Sequence, residues 1–317
     1  MDSTSPKPLA QVKVLVDGAT GYVGQHLVQV LRQAGFAVVC LVRPQARQVD
    51  IDFLAGLGAT ICKGQLTMPQ SGASPTGSFF DGVELAVHLI GSIAPKRGES
   101  FNELHTANAR SFASWCKLAG VKRAVMVTAL GADKNSASNY LKTKALAEEA
   151  AQEILGDGLA IVRPSLILGR QCGTRDSKLI KRYLDIITTK AFVPLVGGGE
   201  SLVQPLYVVD LAKAITACLV RGNVHGVNEL GGPEQVSLKT IVQKLCALKG
   251  VNKPVLNVPP FVASGVASIA ERLMEVPTLS RDQALLATMD NVTSNNQIDL
   301  LLGQEPTSLD SALKTYG

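Results

Sequence analysis

Tyr140 and Lys144 stand four residues apart in the stretch NYLKTK. On a helix, positions i and i+4 are neighbours, so a phenol and an ammonium group would share one face there. A phenol with an ordinary pKa of about 10 yields its proton more readily beside a cation, so the pair could exchange protons with a reacting group. The competing reading is a plain helix face, with Lys144 paired to Glu148 one turn on and Tyr140 set against the core. What surrounds the pair decides between them.

A glycine-rich turn supplies the first part of that setting. The stretch DGATGYVG follows an apolar run and opens a helical pattern, with Gly18, Gly21 and Gly24 at three-residue spacing. Gly18 permits the tight turn, Gly21 lets backbone N–H groups approach a pyrophosphate, and Gly24 lets the helix pack on the sheet. The helix N-terminus then favours the phosphate charge. Gly18, Thr20, Gly21, Tyr22, Val23 and Gly24 are therefore the candidate pyrophosphate cradle. A glycine turn with no ligand is the alternative.

The end of the second strand distinguishes the two nicotinamide cofactors. A carboxylate there would bond a ribose 2′-hydroxyl and repel a 2′-phosphate, but CLVRPQAR places Arg43 at that point and Arg47 four residues on. Guanidinium groups suit a phosphate, so NADP(H) is preferred over NAD(H), against the alternative of two ordinary surface arginines. After the third strand, KGQL sets Gln65 and Leu66 on the adenine side. Gln65 stands where an aspartate often faces the adenine, and an amide can make comparable hydrogen bonds.

These residues need a frame. From residue 11, β-branched runs alternate with helical patterns: VKVLVDG, GYVGQHLVQVLRQAG, FAVVCLVR, FLAGLG, ATICKG, LAVHLIG, NELHTANARSFASWCKLAG, RAVMVTAL, YLKTKALAEEAAQEIL and LAIVRPSL. Uninterrupted apolar strands between helices predict an α/β fold, a Rossmann-type doubly wound parallel sheet covered on both faces, with right-handed crossovers. QPLYVV and GVNELGG are expected to join the same sheet late, with a helix from Asp210 to Arg221 between them. Asp210 itself is expected to cap that helix. The dinucleotide domain is read as residues 10–169 plus 201–231, and a smaller, mainly helical substrate or partner lobe as 170–200 plus 232–317. QSGASPTGS at 70–78 is an expected exposed loop.

Composition narrows the classes. Hydrophobic residues make up 46% and the mean hydropathy is +0.20, yet no run approaches the roughly 18 apolar residues that span a bilayer. MDSTSPKPLAQ lacks a charged region followed by an apolar one, so neither a signal peptide nor a presequence is expected, and the stretch reads as a frayed lead-in. The six cysteines are scattered without a C-x-x-C pair, which fits reduced thiols of a cytoplasmic protein better than disulfides or a metal site. The net charge of +5 is modest, and RDSKLIKRYLDIITTK reads as a solvated helix face, with no nucleic-acid partner expected.

GATGYVG, the Y-x-x-x-K of NYLKTK, and VRPSLILG together resemble the short-chain dehydrogenase/reductase superfamily in its extended or atypical branch. More narrowly, VTALGADKNSASNYLKTKALAEEA, QPLYVVDLAKAI and LSRDQALLATMDN resemble the family of the NAD(P)H-binding accessory subunit of respiratory complex I and its bacterial homologues. The resemblance runs from about residue 11 to 295. It implies that Gly18, Gly21 and Gly24 bind the pyrophosphate and Arg43 the 2′-phosphate. Leu89, Ile90 and Gly91 would line the adenosine and ribose, Thr128 and Ala129 would sit by the nicotinamide, and Pro164, Ser165 and Leu166 would meet its carboxamide side. Tyr140, Lys144 and Thr128 are the catalytic candidates.

Two departures from that family's pattern weigh on turnover. Leu130 occupies the position where active members carry a serine or threonine that polarises the substrate carbonyl. Thr128 is the nearest substitute, with Ser136 and Ser138 as remoter ones; loss of such a donor can cost about 3–4 kcal/mol of transition-state stabilisation. His105 stands near the usual asparagine position, with Asn108 as a possible replacement, and a lone histidine is more often a satisfied helix residue. Three functions follow as expectations: an NADP(H)-binding, redox-associated protein with weak or no turnover, an active oxidoreductase on an apolar carbonyl, alkene or quinone-like substrate, or an accessory protein of a membrane complex. In NVPPFVASGVASIAERLMEV, Phe261, Val262, Val266, Ile269, Leu273 and Met274 recur at helical spacing. A core-facing stripe is the favoured reading there, ahead of a lipid-like ligand or docking at a membrane.

Overall fold

The computed structural model describes residues 8–93, 98–274 and 279–317. The lead-in at residues 1–7 lies outside them. The first half alternates as expected: β1 (Lys13–Asp17), α1 (Tyr22–Gln33), β2 (Ala37–Val42), α2 (Gln48–Gly56), β3 (Thr60–Lys63), β4 (Leu85–His88), α3 (Asn108–Leu118), β5 (Arg123–Val127), α4 (Asn139–Leu155) and β6 (Leu159–Pro164). A short π-helical turn, Glu103–Ala107, leads into α3. The second half holds β7 (Ile167–Leu168), α5 (Lys178–Thr189), β8 (Val193–Val196), β9 (Leu202–Val203), β10 (Leu206–Tyr207), α6 (Val208–Val220) and β11 (Gly226–Leu230). It ends in β12 (Val236–Ser237), α7 (Leu238–Leu248), β13 (Val255–Val258), α8 (Pro260–Leu273), α9 (Arg281–Leu286), α10 (Ile298–Leu302) and α11 (Leu309–Lys314).

Seven strands form one parallel sheet in the order β11-β6-β5-β4-β1-β2-β3. The chain leaves β1 toward β2 on one side and returns to place β4 on the other. A crevice therefore opens at the carboxyl ends of β1 and β4, where such sheets bind ligands. Period-two alternation splits the strands between two cores. Val14 and Val16 pack with Leu27, Leu31 and Ile215 on one face. Leu15 packs with Phe112, Met126 and Ala147 on the other. Both faces being covered explains why the strands read as continuous apolar runs.

Three expectations about the second half are corrected. GVNELGG does join the large sheet as β11, but QPLYVV does not: β10 pairs with β7 in a separate two-stranded parallel sheet. Only two of its residues are extended before α6 begins at Val208. For the same reason Asp210 is not the cap. It lies in the first turn of α6, buried, and accepts the Thr307 N–H at 2.7 Å, tying the C-terminal segment to the helix. Third, the apolar stripe of α8 faces outward; its buried residues are Ala263 and Ala267.

A third buried cluster holds Leu168, Ile180, Ile187, Leu195, Ile241 and Leu245 among its members. The chain then returns to the large sheet, where Ile298 and Leu301 of α10 are buried in the core beneath α6. The cationic helix α5 buries Ile180 and Ile187 and leaves its lysines outside, as its spacing predicts.

Candidate functional site

The glycine turn joins β1 to α1. Gly18 has a φ of +87°, a left-handed conformation that favours glycine, and the Gly21 N–H bonds the Gly18 carbonyl at 3.0 Å. A Cβ on Gly24 would lie 2.5 Å from the Gly18 oxygen and 2.7 Å from that of Ala19. The helix can lie this close to its own turn only because that side chain is absent. The first N–H groups of α1, from Tyr22 to Gly24, have no partner within the helix and open at the sheet's carboxyl edge. Gly21 is exposed at this point. That combination suits a pyrophosphate, so the residues present fit a dinucleotide.

Beside the turn, Arg43 is exposed at the end of β2 and has no side-chain partner among the described residues. Arg47 is differently placed. It bonds Asp50 through Nε at 3.0 Å and Nη2 at 2.6 Å, and Arg175 reaches the same buried carboxylate at 2.6 Å. Thr174 donates to it as well. Burial opposes ionisation of Asp50, but hydrogen bonds from Arg47, Arg175 and Thr174 hold its carboxyl well below the usual range. This cluster fastens the segment after β7 to α1 and α2, helped by Gln25, which accepts the Thr174 N–H at 2.9 Å. Tyr22 adds its hydroxyl, which donates to the Gly169 carbonyl at 2.6 Å. Its phenol is thus a strut, while its N–H remains at the turn. Gln65 is exposed and Leu66 buried just past β3.

Lys144 is buried, and its Nζ donates to the carbonyls of Ile90 at 3.3 Å and Val127 at 3.5 Å. It is thereby held at the ends of β4 and β5. A Cβ on Gly91 would sit 2.4 Å from the Lys144 Nζ, so a side chain there would push the ammonium group from its present place. Burial draws the Lys144 pKa down to about 8, opposed by the charge of Glu148. The alternative pairing of Lys144 with Glu148 does not form. Glu148 instead accepts from Thr128 Oγ1 at 2.5 Å and from Arg163 Nη2 at 2.5 Å; Glu148 and Thr128 are buried and Arg163 is partly so.

Tyr140 is half-buried, and its hydroxyl has no hydrogen-bond partner among the described residues. Burial pushes its phenol up to about 12, so it is a protonated donor at neutral pH and not the acidified phenol that the spacing alone suggests. Its ring meets His105 edge-on with centroids 5.5 Å apart, and Phe101 lies at 6.4 Å. His105 is a satisfied residue, as expected of a lone histidine, but it is also part of the site's wall. Its Nε2 accepts the Ser92 N–H at 3.3 Å, which assigns the proton to Nδ1, 2.8 Å from Thr143 Oγ1. Burial, then the Lys144 charge, takes its pKa down to about 3, so the imidazole is neutral. Asn108 is turned to the Leu104 carbonyl.

Two of the candidate polarising hydroxyls already donate elsewhere, and the usual position carries none. Leu130 is buried, Thr128 donates to Glu148, and Ser138 caps α4 and donates to Asp282 at 2.6 Å. Ser136 accepts the Ser138 N–H in the loop before the helix. Ala129 is buried at the end of β5. Beyond β6, Pro164 and Ser165 are buried and Leu166 is partly so. Ser165 donates to Asn291, whose amide reaches back to the Leu130 carbonyl at 3.3 Å.

Asp282 and Asn291 are the residues that motif reasoning missed. Asp282 accepts from Ser138 and from the Tyr140 N–H at 3.1 Å, so α9 closes the N-terminus of the Tyr140 helix. Both lie in LSRDQALLATMDN, more than a hundred residues from Ser138, Tyr140, Ser165 and Leu130, to which they bond here, and that stretch was the one available signal.

A family described as NAD(P)H-binding matches residues 18–175. Subunit 9 of the mitochondrial NADH dehydrogenase (ubiquinone) 1 alpha subcomplex of Arabidopsis thaliana is 27% identical over 295 residues, 89% of this chain and 71% of that protein. A ceramide reductase of Caulobacter vibrioides is 33% identical over 156 residues, 49% of this chain and 46% of that protein. Among solved structures, the UDP-glucose 4-epimerase of Thermotoga maritima superposes with a TM-score of 0.72 at 17% identity, covering 96% of this chain and 97% of the other. That last likeness concerns the fold alone.

Proposed function

We propose that this chain, which belongs to the atypical short-chain dehydrogenase/reductases and is related to the complex I subunit 9 proteins, binds NADP(H) in preference to NAD(H) as a redox-associated protein with weak or no turnover. The observation that carries the reading is the pairing of a sterically obligatory glycine turn with an exposed, unpartnered Arg43. The cofactor would supply a hydride; this chain's part is to hold it. The Tyr22 and Val23 N–H groups would take the pyrophosphate, Arg43 the 2′-phosphate, and Lys144 the ribose hydroxyls. Arg47 would act at one remove, since its guanidinium already serves Asp50.

Weak or absent turnover follows from the hydrogen bonds around Tyr140. The phenol is protonated and has no partner among the described residues, but Thr128 and Ser138 already donate to carboxylates, and Ser136 stands in the loop before the helix and not at the position that the family's pattern uses. Bound dinucleotide would then stabilise the fold by mass action and report the redox state through occupancy. Kinship with complex I subunits supports a site of action at a membrane complex.

An active reductase is the second reading, favoured by the buried Lys144 below a free phenol and by the name of the Caulobacter relative. Its substrate would be apolar and carbonyl-, alkene- or quinone-like. NADPH consumption with such substrates, compared between wild type and Tyr140→Phe, separates the two. Loss in the variant supports catalysis; equal slow rates support the binder.

Arg43→Ala tests the cofactor assignment. A charge-assisted contact to phosphate is worth about 1.5–3 kcal/mol, so NADPH affinity should fall about tenfold to a hundredfold while NADH affinity stays unchanged. Calorimetric titration with both cofactors reads this directly. Equal losses for both would remove Arg43 from the 2′-phosphate.

A further inference from the structure

Asp50 is a buried carboxylate that two guanidiniums share. Arg47 grips it through Nε and Nη2, and Arg175 through Nε at 3.1 Å and Nη2 at 2.6 Å. The Asp50 side chain is fully covered, yet that of Arg47 is 50% exposed and that of Arg175 39%. One carboxylate answers only one of the two positive charges. The other acids close by in sequence are turned elsewhere: Asp52 accepts from Gln48 Nε2 at 2.7 Å, and Asp176 accepts the Ser177 N–H at 2.7 Å. Cations are also disfavoured at a helix N-terminus, and Arg47 is the N-cap of α2 with Asp50 in its first turn. A strut would need only one of them.

Arg175 is in place before any ligand arrives. Gln25, fully buried on α1, turns its whole amide to the segment after β7. Its Oε1 accepts the N–H groups of Thr174 at 2.9 Å and Arg175 at 3.2 Å, and its Nε2 donates to Thr174 Oγ1 at 2.7 Å. Gly173 lies against the Phe53 ring, where a Cβ would come within 2.6 Å. Arg47 Nη2 also reaches the Thr174 carbonyl at 3.3 Å, so Arg47 belongs to the support. The remaining edge of Arg175, Nη1, has no acceptor among the described residues. Arg43 stands at the same corner: the Ala46 N–H bonds the Arg43 carbonyl at 2.9 Å, so the chain turns tightly and Arg47 follows at once. Arg43, Arg47 and Arg175 therefore gather at the start of α2, beyond the carboxyl end of β2.

We propose that Arg175 is a second specificity-determining residue for NADP(H), held by Asp50 so that its Nη1 edge meets the 2′-phosphate alongside Arg43. The proposal rests on the cofactor reading given above and adds to it a residue 125 positions from Asp50 in sequence. Asp50, Gln25 and Arg47 are positioning residues. A phosphate dianion is met by guanidinium forks better than by point charges, and a fork already fixed loses little freedom on binding. NADH carries a hydroxyl at that place and gains no charge-assisted contact from Arg175.

The test is calorimetric titration of wild type, Arg175→Gln and Arg175→Lys with NADPH and with NADH. Glutamine brings no charge to the phosphate, so NADPH affinity should fall about tenfold while NADH affinity stays unchanged. Lysine keeps the charge but not the fork; it can serve Asp50 or the phosphate and not both, so its NADPH affinity should lie between the other two. The ratio of the two affinities is the readout, because a residue that only braced the segment after β7 would lower both alike. The proposal falls if Arg175→Gln lowers both affinities equally or lowers neither. Should the glutamine variant not fold, an NADPH-to-NADH ratio in Arg175→Lys equal to that of wild type overturns it. Wild type without a preference would overturn the 2′-phosphate reading itself, and this proposal with it. A preference lost in Arg43→Ala but kept in Arg175→Gln would overturn this proposal alone.

Discussion

Gly24→Val is expected to remove NADPH binding, lowering affinity by more than about a hundredfold and the melting temperature with it. The side chain has nowhere to go. Its Cβ alone would lie 2.5 Å and 2.7 Å from two carbonyl oxygens of the turn, well inside van der Waals contact. α1 would have to retreat from β1, carrying away the Tyr22 and Val23 N–H groups. Two charge-assisted hydrogen bonds of about 1.5–3 kcal/mol each account for the expected loss. Gly56→Ala in α2 is the control: nothing lies within 4 Å of its added Cβ, so it should bind NADPH normally. Fluorescence titration of the bound nicotinamide with melting curves of both variants checks the pair. Normal binding by Gly24→Val would contradict the role given to the turn.

Glu148→Ala should be the most damaging substitution for stability among those considered. Its carboxylate is buried and holds Arg163 and Thr128 together between α4 and the ends of β5 and β6. Removing one member of a buried ion pair strands the other, at a cost of about 3–5 kcal/mol. Arg163 retains a second, longer contact to Glu229 at 3.8 Å, too weak to replace the first. Adding Arg163→Met should recover part of the loss, because the uncompensated charge is then gone. Urea denaturation of wild type, single and double variants measures this. A single variant as stable as wild type would mean that Glu148 and Arg163 are not the strut described here.

The parts legible in the sequence were those with local causes. A strand covered on both faces must be apolar throughout, so β1, β2 and β4 to β6 could be read from composition alone. The glycine turn was legible because each of its glycines answers a local steric demand. Tyr140 and Lys144 were legible because i and i+4 share a helix face. Helical spacing, in contrast, reveals an apolar stripe but not whether another element covers it. In α8 the small Ala263 and Ala267 give the face that α9 can approach, and the larger residues are left outside.

Hydrogen bonds between distant segments left no local trace either. Thr128 was read as a free hydroxyl because Glu148 lies a full element away, and Ser138 because Asp282 comes from the far end of the chain. Asp210 bears a capping residue type, yet α6 starts two residues before it, and its carboxylate serves Thr307 instead.

The central claim is selective binding of NADP(H) at the turn between β1 and α1. Its most direct test is parallel titration of the wild-type protein with NADPH and NADH, followed by the fluorescence of the bound nicotinamide. The account predicts one saturating site with NADPH bound about tenfold or more tighter than NADH, the margin expected of one guanidinium–phosphate contact. Equal affinity for the two would contradict the 2′-phosphate assignment, and binding of neither would overturn the cofactor reading as a whole.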